Sequence, residues 1–332
     1  MGQSDDFFDI ITLTCGIATL VRKESEKEFN RNKTLPYSSN YYNQSKNNMS
    51  KPAAQKKETW NTLGVFFILL ISFSSIAYYA ILKLNPTSIY VGLLMISPAL
   101  AAFLTLKIKK RPVSSLPWNL KDLKYLKLSF FTPILYVSIA YALLWVFGLG
   151  NLANTETITE WSNELGIGES NQMLVIVAMV FLLLTVGVIK NLGSTLGEEI
   201  GWRGFLIFEL RKIMSFKALA IFSGIVWAVW HYPIIYLIYG KGGDLLIHMG
   251  AFTIMIIGIS VILAYFTFKS KSLWPAAIYH SVHNIYIQKI CSPLTTSNDN
   301  TAFWIDEYGF MIPIVTTVFA IYFLIKAGKE KL

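Results

Sequence analysis

Residues 172–210 read QMLVIVAMVFLLLTVGVIKNLGSTLGEEIGWRGFLIFEL, an almost unbroken apolar run with a group of ionisable residues near its end. As one straight helix it would reach roughly 58 Å, against a bilayer hydrocarbon core of about 30 Å. Lipid is the natural solvent for such a segment. Lys190-Asn191-Leu192-Gly193 offers a place for the helix to break or kink.

The same pattern extends in both directions. Besides the run that opens at 172 and reaches about 196, apolar blocks fall at about 61–83, 88–106, 128–150, 218–239, 245–267, 273–290 and 309–327. Each is near the ~20 residues that a helix needs to cross a bilayer. The chain is 54% hydrophobic and 15% charged, where soluble domains carry about a quarter charged residues. A globular core could not absorb eight such blocks. The expected fold class is all-α, a polytopic transmembrane helix bundle of about eight spans over residues 59–332. Residues 1–58 form an N-terminal extension, largely polar and flexible, rich in Asn, Lys and Ser. Its short apolar run Phe7–Val21 lacks the basic start of a signal peptide and suits an interfacial helix.

The formal charge of +9 does not point to nucleic acid, because the Lys and Arg sit in short runs beside the spans and form no basic stripe interleaved with aromatics. The loop 107–127 holds seven Lys or Arg, while 151–171 holds none and carries four Glu. Placing the first loop in the cytoplasm puts Arg211, Lys212, Lys269, Lys271 and Lys326 there too, with both termini, as expected for a plasma-membrane protein. Within 107–127, Trp118 among the lysines suggests an amphipathic surface helix. Cys15 and Cys291 fit neither a disulfide framework nor a metal motif.

Charged side chains inside a bilayer cost at least ~2.5–3.5 kcal/mol each on insertion scales, so they call for a function. The fourth span carries Glu198, Glu199 and Arg203, the fifth His231, and the seventh His280, His283 and Asn284. Glu199 and Arg203, at i and i+4, share a helix face and can pair, while Glu198 faces elsewhere by about 100°. His280 and Asn284 likewise project together. Measured from the nearest basic residues, Glu199 lies roughly 18 Å, His231 roughly 21 Å and His280 roughly 13 Å into the membrane, so one buried layer could hold all three. That layer suits peptide hydrolysis. A desolvated carboxylate is a stronger base towards water. Two neutral imidazoles can hold the water, or bind a divalent metal such as zinc that acidifies it. An Asn amide can donate to the oxyanion.

Glu198-Glu199-Ile200-Gly201-Trp202-Arg203, Trp227-Ala228-Val229-Trp230-His231 and His280-Ser281-Val282-His283-Asn284, in that order on successive apolar segments, resemble the motifs of the CAAX prenyl protease and bacteriocin-processing family of intramembrane proteases. The likeness covers a protease-like core at about 172–290. It implies that Glu198 is the water-activating base, assisted by Glu199 and Arg203, that His231 and His280 position the water, and that Asn284 helps to form the oxyanion site. It further implies a peptide or lipidated-protein substrate. Trp227 departs from the phenylalanine usual at the head of the second motif.

Plainer explanations exist for each group. Glu199 and Arg203 could be a structural ion pair, and His280 with Asn284 a polar helix-packing pair. His248 reads as an interfacial histidine, and His283 as support from beside the site. Ionisable residues in spans also build proton relays, so a proton-coupled transporter is the first competing function. A catalytically silent immunity or scaffold protein is the second.

Overall fold

The computed structural model describes residues 42–84, 88–168, 171–239 and 244–332. The interfacial helix expected over Phe7–Val21 lies outside them, as do residues 1–41 as a whole. Helix α1 (Tyr42–Lys83) begins inside the segment expected to be a flexible extension, and α2 (Ser88–Ile108) packs along it. There follow α3 (Leu123–Val146), a short amphipathic α4 (Thr155–Leu165), α5 (Gln172–Leu182), α6 (Val188–Glu199), α7 (Ile207–Arg211), α8 (Phe216–Tyr239), α9 (Leu245–Ser270), α10 (Trp274–Ile285), the single turn α11 (Thr301–Trp304) and α12 (Met311–Lys329). The chain is an all-α polytopic bundle, an integral multi-pass membrane protein.

Seven helices among the described residues are long and apolar enough to cross a membrane. The eighth expected span, 273–290, is α10 continued by a π-helical turn over Tyr286–Cys291. Large apolar side chains face outwards, among them Ile89, Val146 and Phe181. A water-soluble protein would bury such surface, but acyl chains solvate it as well as a core does.

Two local expectations fail. The basic stretch 107–127 forms no surface helix: Pro112 and Pro117 deny it backbone donors, and between α2 and α3 lies only a 3₁₀ turn at Val113–Ser115. The long run 172–211 does not break at Lys190–Gly193 but stays helical throughout. Its irregularities are two π-helical turns, Leu183–Gly187 before α6 and Ile200–Leu206 after it. Such wide turns admit one extra residue per turn and re-aim the side chains that follow, which is why they concentrate at functional sites.

The second wide turn rests on α2. A Cβ built on Gly201 would lie 2.4 Å from the Cβ of Pro98, and one on Gly197 would lie 2.8 Å from the Met95 carbonyl oxygen. Glycine at both positions lets the two backbones touch. Helix α10 is held at both ends. The Leu273 amide donates to the Pro117 carbonyl at 2.9 Å and the Trp274 indole to the Trp118 carbonyl at 3.1 Å. Beyond its far end, the two-residue strand β2 (Thr295–Thr296) pairs antiparallel with β1 (Asn151–Leu152).

Gly201→Ala is expected to destabilise the protein by about 1–3 kcal/mol, the usual cost of overpacking a tight core. Its melting temperature in detergent should fall below wild type, and Gly64→Ala, where an added Cβ meets nothing inside a helix, should melt at or above wild type.

Candidate active site

The three polar groups read from the sequence converge. Glu198 and Glu199 end α6, and the wide turn after them carries Arg203. Arg203 Nη1 donates to Glu199 Oε1 at 2.9 Å, with both side chains almost wholly buried. Its Nη2 donates to Ser260 Oγ of α9 at 3.0 Å, and its guanidinium centre lies 4.1 Å from the centre of the Trp227 ring. Desolvating two charges costs more than a bare pair returns. The added hydroxyl and the aromatic face offset part of that cost.

Glu199 Oε1 accepts a second bond, from His280 Nδ1 of α10 at 3.0 Å. A carboxylate oxygen only accepts, so Nδ1 carries a proton, and in the neutral ring Nε2 keeps its lone pair. His231 of α8 is set the same way: its Nδ1 donates to the Trp227 carbonyl at 2.9 Å, leaving Nε2 free. Its ring meets Trp230 at 4.7 Å and Phe252 at 5.2 Å between centroids.

Glu198 turns away from Arg203, as the offset of consecutive helical residues requires. Its Oε2 accepts the Trp227 indole N–H at 2.7 Å. Its Oε1 is buried and has no protein partner. Both imidazoles pack on the indole that binds it, with ring centroids 5.8 Å (His231) and 5.1 Å (His280) from that of Trp227. Glu199 Oε2 is likewise buried and unpartnered, so the site presents two unengaged carboxylate oxygens, that of Glu198 beside two imidazoles. Such a set can accept both hydrogens of a water and can take one of them as a proton. Orphaned buried acceptors of this kind are rare unless something polar is to be held there.

Asn284 is half-buried one turn after His280, and among the described residues no hydrogen bond joins it to either glutamate or either site imidazole. His283 lies off the site, as its spacing suggested. It is hydrogen-bonded to Tyr136 of α3 and lies 3.6 Å from Glu307. His248 is buried, and its Nδ1 donates to the Tyr308 carbonyl, so it is more enclosed than an interfacial histidine.

Several residues of the surrounding shell escaped the sequence. Ser260 and Tyr136 are ordinary residues in apolar spans, with no local pattern to mark them. Trp230 donates to Ser74, Ser74 pairs with Ser97, and the Tyr78 hydroxyl donates to the Trp230 carbonyl, which fixes α8 against α1 and α2. Glu307, in the loop before α12, was the legible omission: an acidic pair beside a span end is costly to bury. Burial, and after it the neighbouring Asp306, pushes its carboxyl up to about 7.

No group of three or more His, Cys, Asp or Glu among the described residues is arranged to hold a metal ion. His231 and His280, with the unpartnered oxygen of Glu198, are nonetheless the donor types of a His₂Glu site and would be the residues to hold a divalent metal.

A multi-span bundle with a carboxylate–imidazole site inside it defines the class as a membrane-embedded protein with hydrolase-like polar groups. Residues 171–286 match the family model described as type II CAAX prenyl endopeptidase Rce1-like. The matched segment contains all three motifs, so the resemblance read from them holds for the core of the chain. No curated protein matches the chain.

Glu307 gives a pH dependence whose sign is fixed. Its carboxyl holds a proton more tightly folded than at its ordinary 4.5. Its contribution to stability is therefore complete below that value and lost as pH rises towards about 7. Glu307→Gln should lose less melting temperature than wild type between about pH 5 and pH 7.5, the range over which the raised group titrates.

Proposed function

We propose that the protein is an intramembrane endopeptidase that hydrolyses a peptide bond with a water activated by Glu198. The observation that carries this reading is the buried, unpartnered Oε1 of Glu198 beside two imidazoles whose Nδ1 atoms are engaged elsewhere. The family match over 171–286 supports it independently.

In this mechanism the water gives one hydrogen to His231 Nε2 and the other to Glu198 Oε1, with the His280 ring confining it from the other side. Glu198 removes one proton as the water oxygen bonds to the scissile carbonyl carbon. The oxyanion takes a hydrogen bond from the Asn284 amide. Glu198 then returns its proton to the peptide nitrogen as the carbon–nitrogen bond breaks, releasing a carboxylic acid and an amine. Glu199 and Arg203 do not touch the reacting atoms. Glu199 orients His280 through its Nδ1–H, and Arg203 anchors Glu199. No step is routed through a metal.

The substrate class proposed is a peptide or lipidated protein reached from the membrane, with a prenylated C-terminal tail as the first candidate because of the family matched. Bacteriocin or other peptide processing is the alternative within the same chemistry. Both termini are proposed to face the cytoplasm, from the distribution of Lys and Arg.

Purified protein in proteoliposomes should cleave a prenylated tail peptide, and Glu198→Gln should lower kcat at least ~100-fold, the scale of a lost general base. Undiminished cleavage by that variant would sink the reading, and proton flux lost with the same substitution would favour a transporter. Dialysis against a chelator is expected to leave the rate within about twofold. A rate lost and then restored by zinc would instead bring in a metal held by His231 and His280.

A further inference from the structure

The indole of Trp227 touches Glu198, Arg203, His231 and His280. Its Nε1–H donates to Glu198 Oε2 at 2.7 Å. Its face carries the Arg203 guanidinium at 4.1 Å. Its ring lies 5.1 Å from that of His280 and 5.8 Å from that of His231, centroid to centroid. Its carbonyl holds His231 Nδ1. The side chain is 2% exposed.

These contacts differ in what they require. A phenyl ring of similar placement could pack against the imidazoles and keep some attraction for the guanidinium, and the backbone carbonyl is independent of the side chain. Only the N–H needs an indole. It meets one oxygen of a carboxylate whose other oxygen has no protein partner. A buried carboxylate without such a bond can rotate about its last torsion, which is broad, and carry both oxygens off the line to the water. With one oxygen tied, the plane is held and the other oxygen stays aimed. The ring that ties it is itself clamped by Arg203, which is fixed by Glu199 and Ser260.

We propose that Trp227 is a positioning residue for hydrolysis: its indole N–H locks the Glu198 carboxylate so that Oε1 alone serves as the base. The inference rests on the reading of Glu198 as that base. It also gives a purpose to the departure of this chain from the phenylalanine usual at that place in the motif.

A residue that merely fills space would change stability when replaced, without a selective effect on the chemical step. A lock on the base changes kcat and leaves substrate binding alone. Trp227→Phe is therefore expected to lower kcat by roughly 10- to 100-fold, the scale of a small misalignment of reacting groups, with KM within about threefold of wild type. In the protein labelled with ¹⁵N at the tryptophan indoles, the resonance missing from Trp227→Phe identifies its N–H. In Glu198→Gln that resonance should move while the others hold.

A Trp227→Phe enzyme with kcat within about twofold of wild type, beside an inactive Glu198→Gln, would overturn the lock and leave the protease reading standing. An indole resonance unmoved in Glu198→Gln would also overturn it, and that measurement needs neither activity nor a folded Trp227→Phe. Full cleavage by Glu198→Gln would remove the protease reading itself and the lock with it.

Discussion

A guanidinium and a carboxylate that are almost wholly out of water, Arg203 and Glu199, are the fixed point about which the site is assembled. Each would be strongly unfavourable alone in a low-dielectric interior. Together they still need further donors and acceptors, and those come from three other helices: Ser260 on α9, His280 on α10 and the Trp227 ring on α8. Neutralising one buried pair thus draws four transmembrane segments together. The same requirement that makes the pair costly makes the arrangement specific, because any other helix packing would leave charge uncompensated.

The two adjacent glutamates divide between support and chemistry by geometry alone. Consecutive helical residues diverge by about 100°, so Glu199 can meet the cation and His280 while Glu198 meets the indole. The supporting carboxylate has one oxygen doubly engaged. The other has one oxygen tied to the indole, and each keeps a second, unpartnered oxygen. One helix end therefore supplies an anchor and a base that do not compete for the same partner.

Much of this was legible in the sequence, and for a physical reason. Ionisable residues in apolar spans are so unfavourable that Glu198, Glu199, Arg203, His231 and His280 stand out without any structure, and i,i+4 spacing pairs Glu199 with Arg203. Span lengths follow from bilayer thickness, so the bundle was legible too. What was not legible depends on contacts between distant segments. Ser260 looks like any small polar residue in a span until Arg203 reaches it. The path of 172–211 was misjudged at Lys190–Gly193 because asparagine and glycine weaken a helix locally, whereas tertiary packing keeps it intact. The irregularity falls instead where Gly201 meets Pro98. In 107–127 the periodic lysines suggested a helix, and the two prolines decided otherwise.

The attachment of α10 at both ends bears on where a bulky molecule could enter. The Pro117 and Trp118 carbonyls grip its start, and the β1–β2 clasp restrains the chain beyond its finish. A rod fastened at each tip resists sliding, tilting and unwinding, so His280 is mounted on a stationary rail. Compliance has to reside elsewhere in the wall. The flank formed by α5 and the wide turn after it turns large apolar side chains, Val177, Phe181 and Val186, towards lipid and is thinly covered by protein. In mechanical terms, α10 is the doorpost and the α5 flank is the side on which a door could hang.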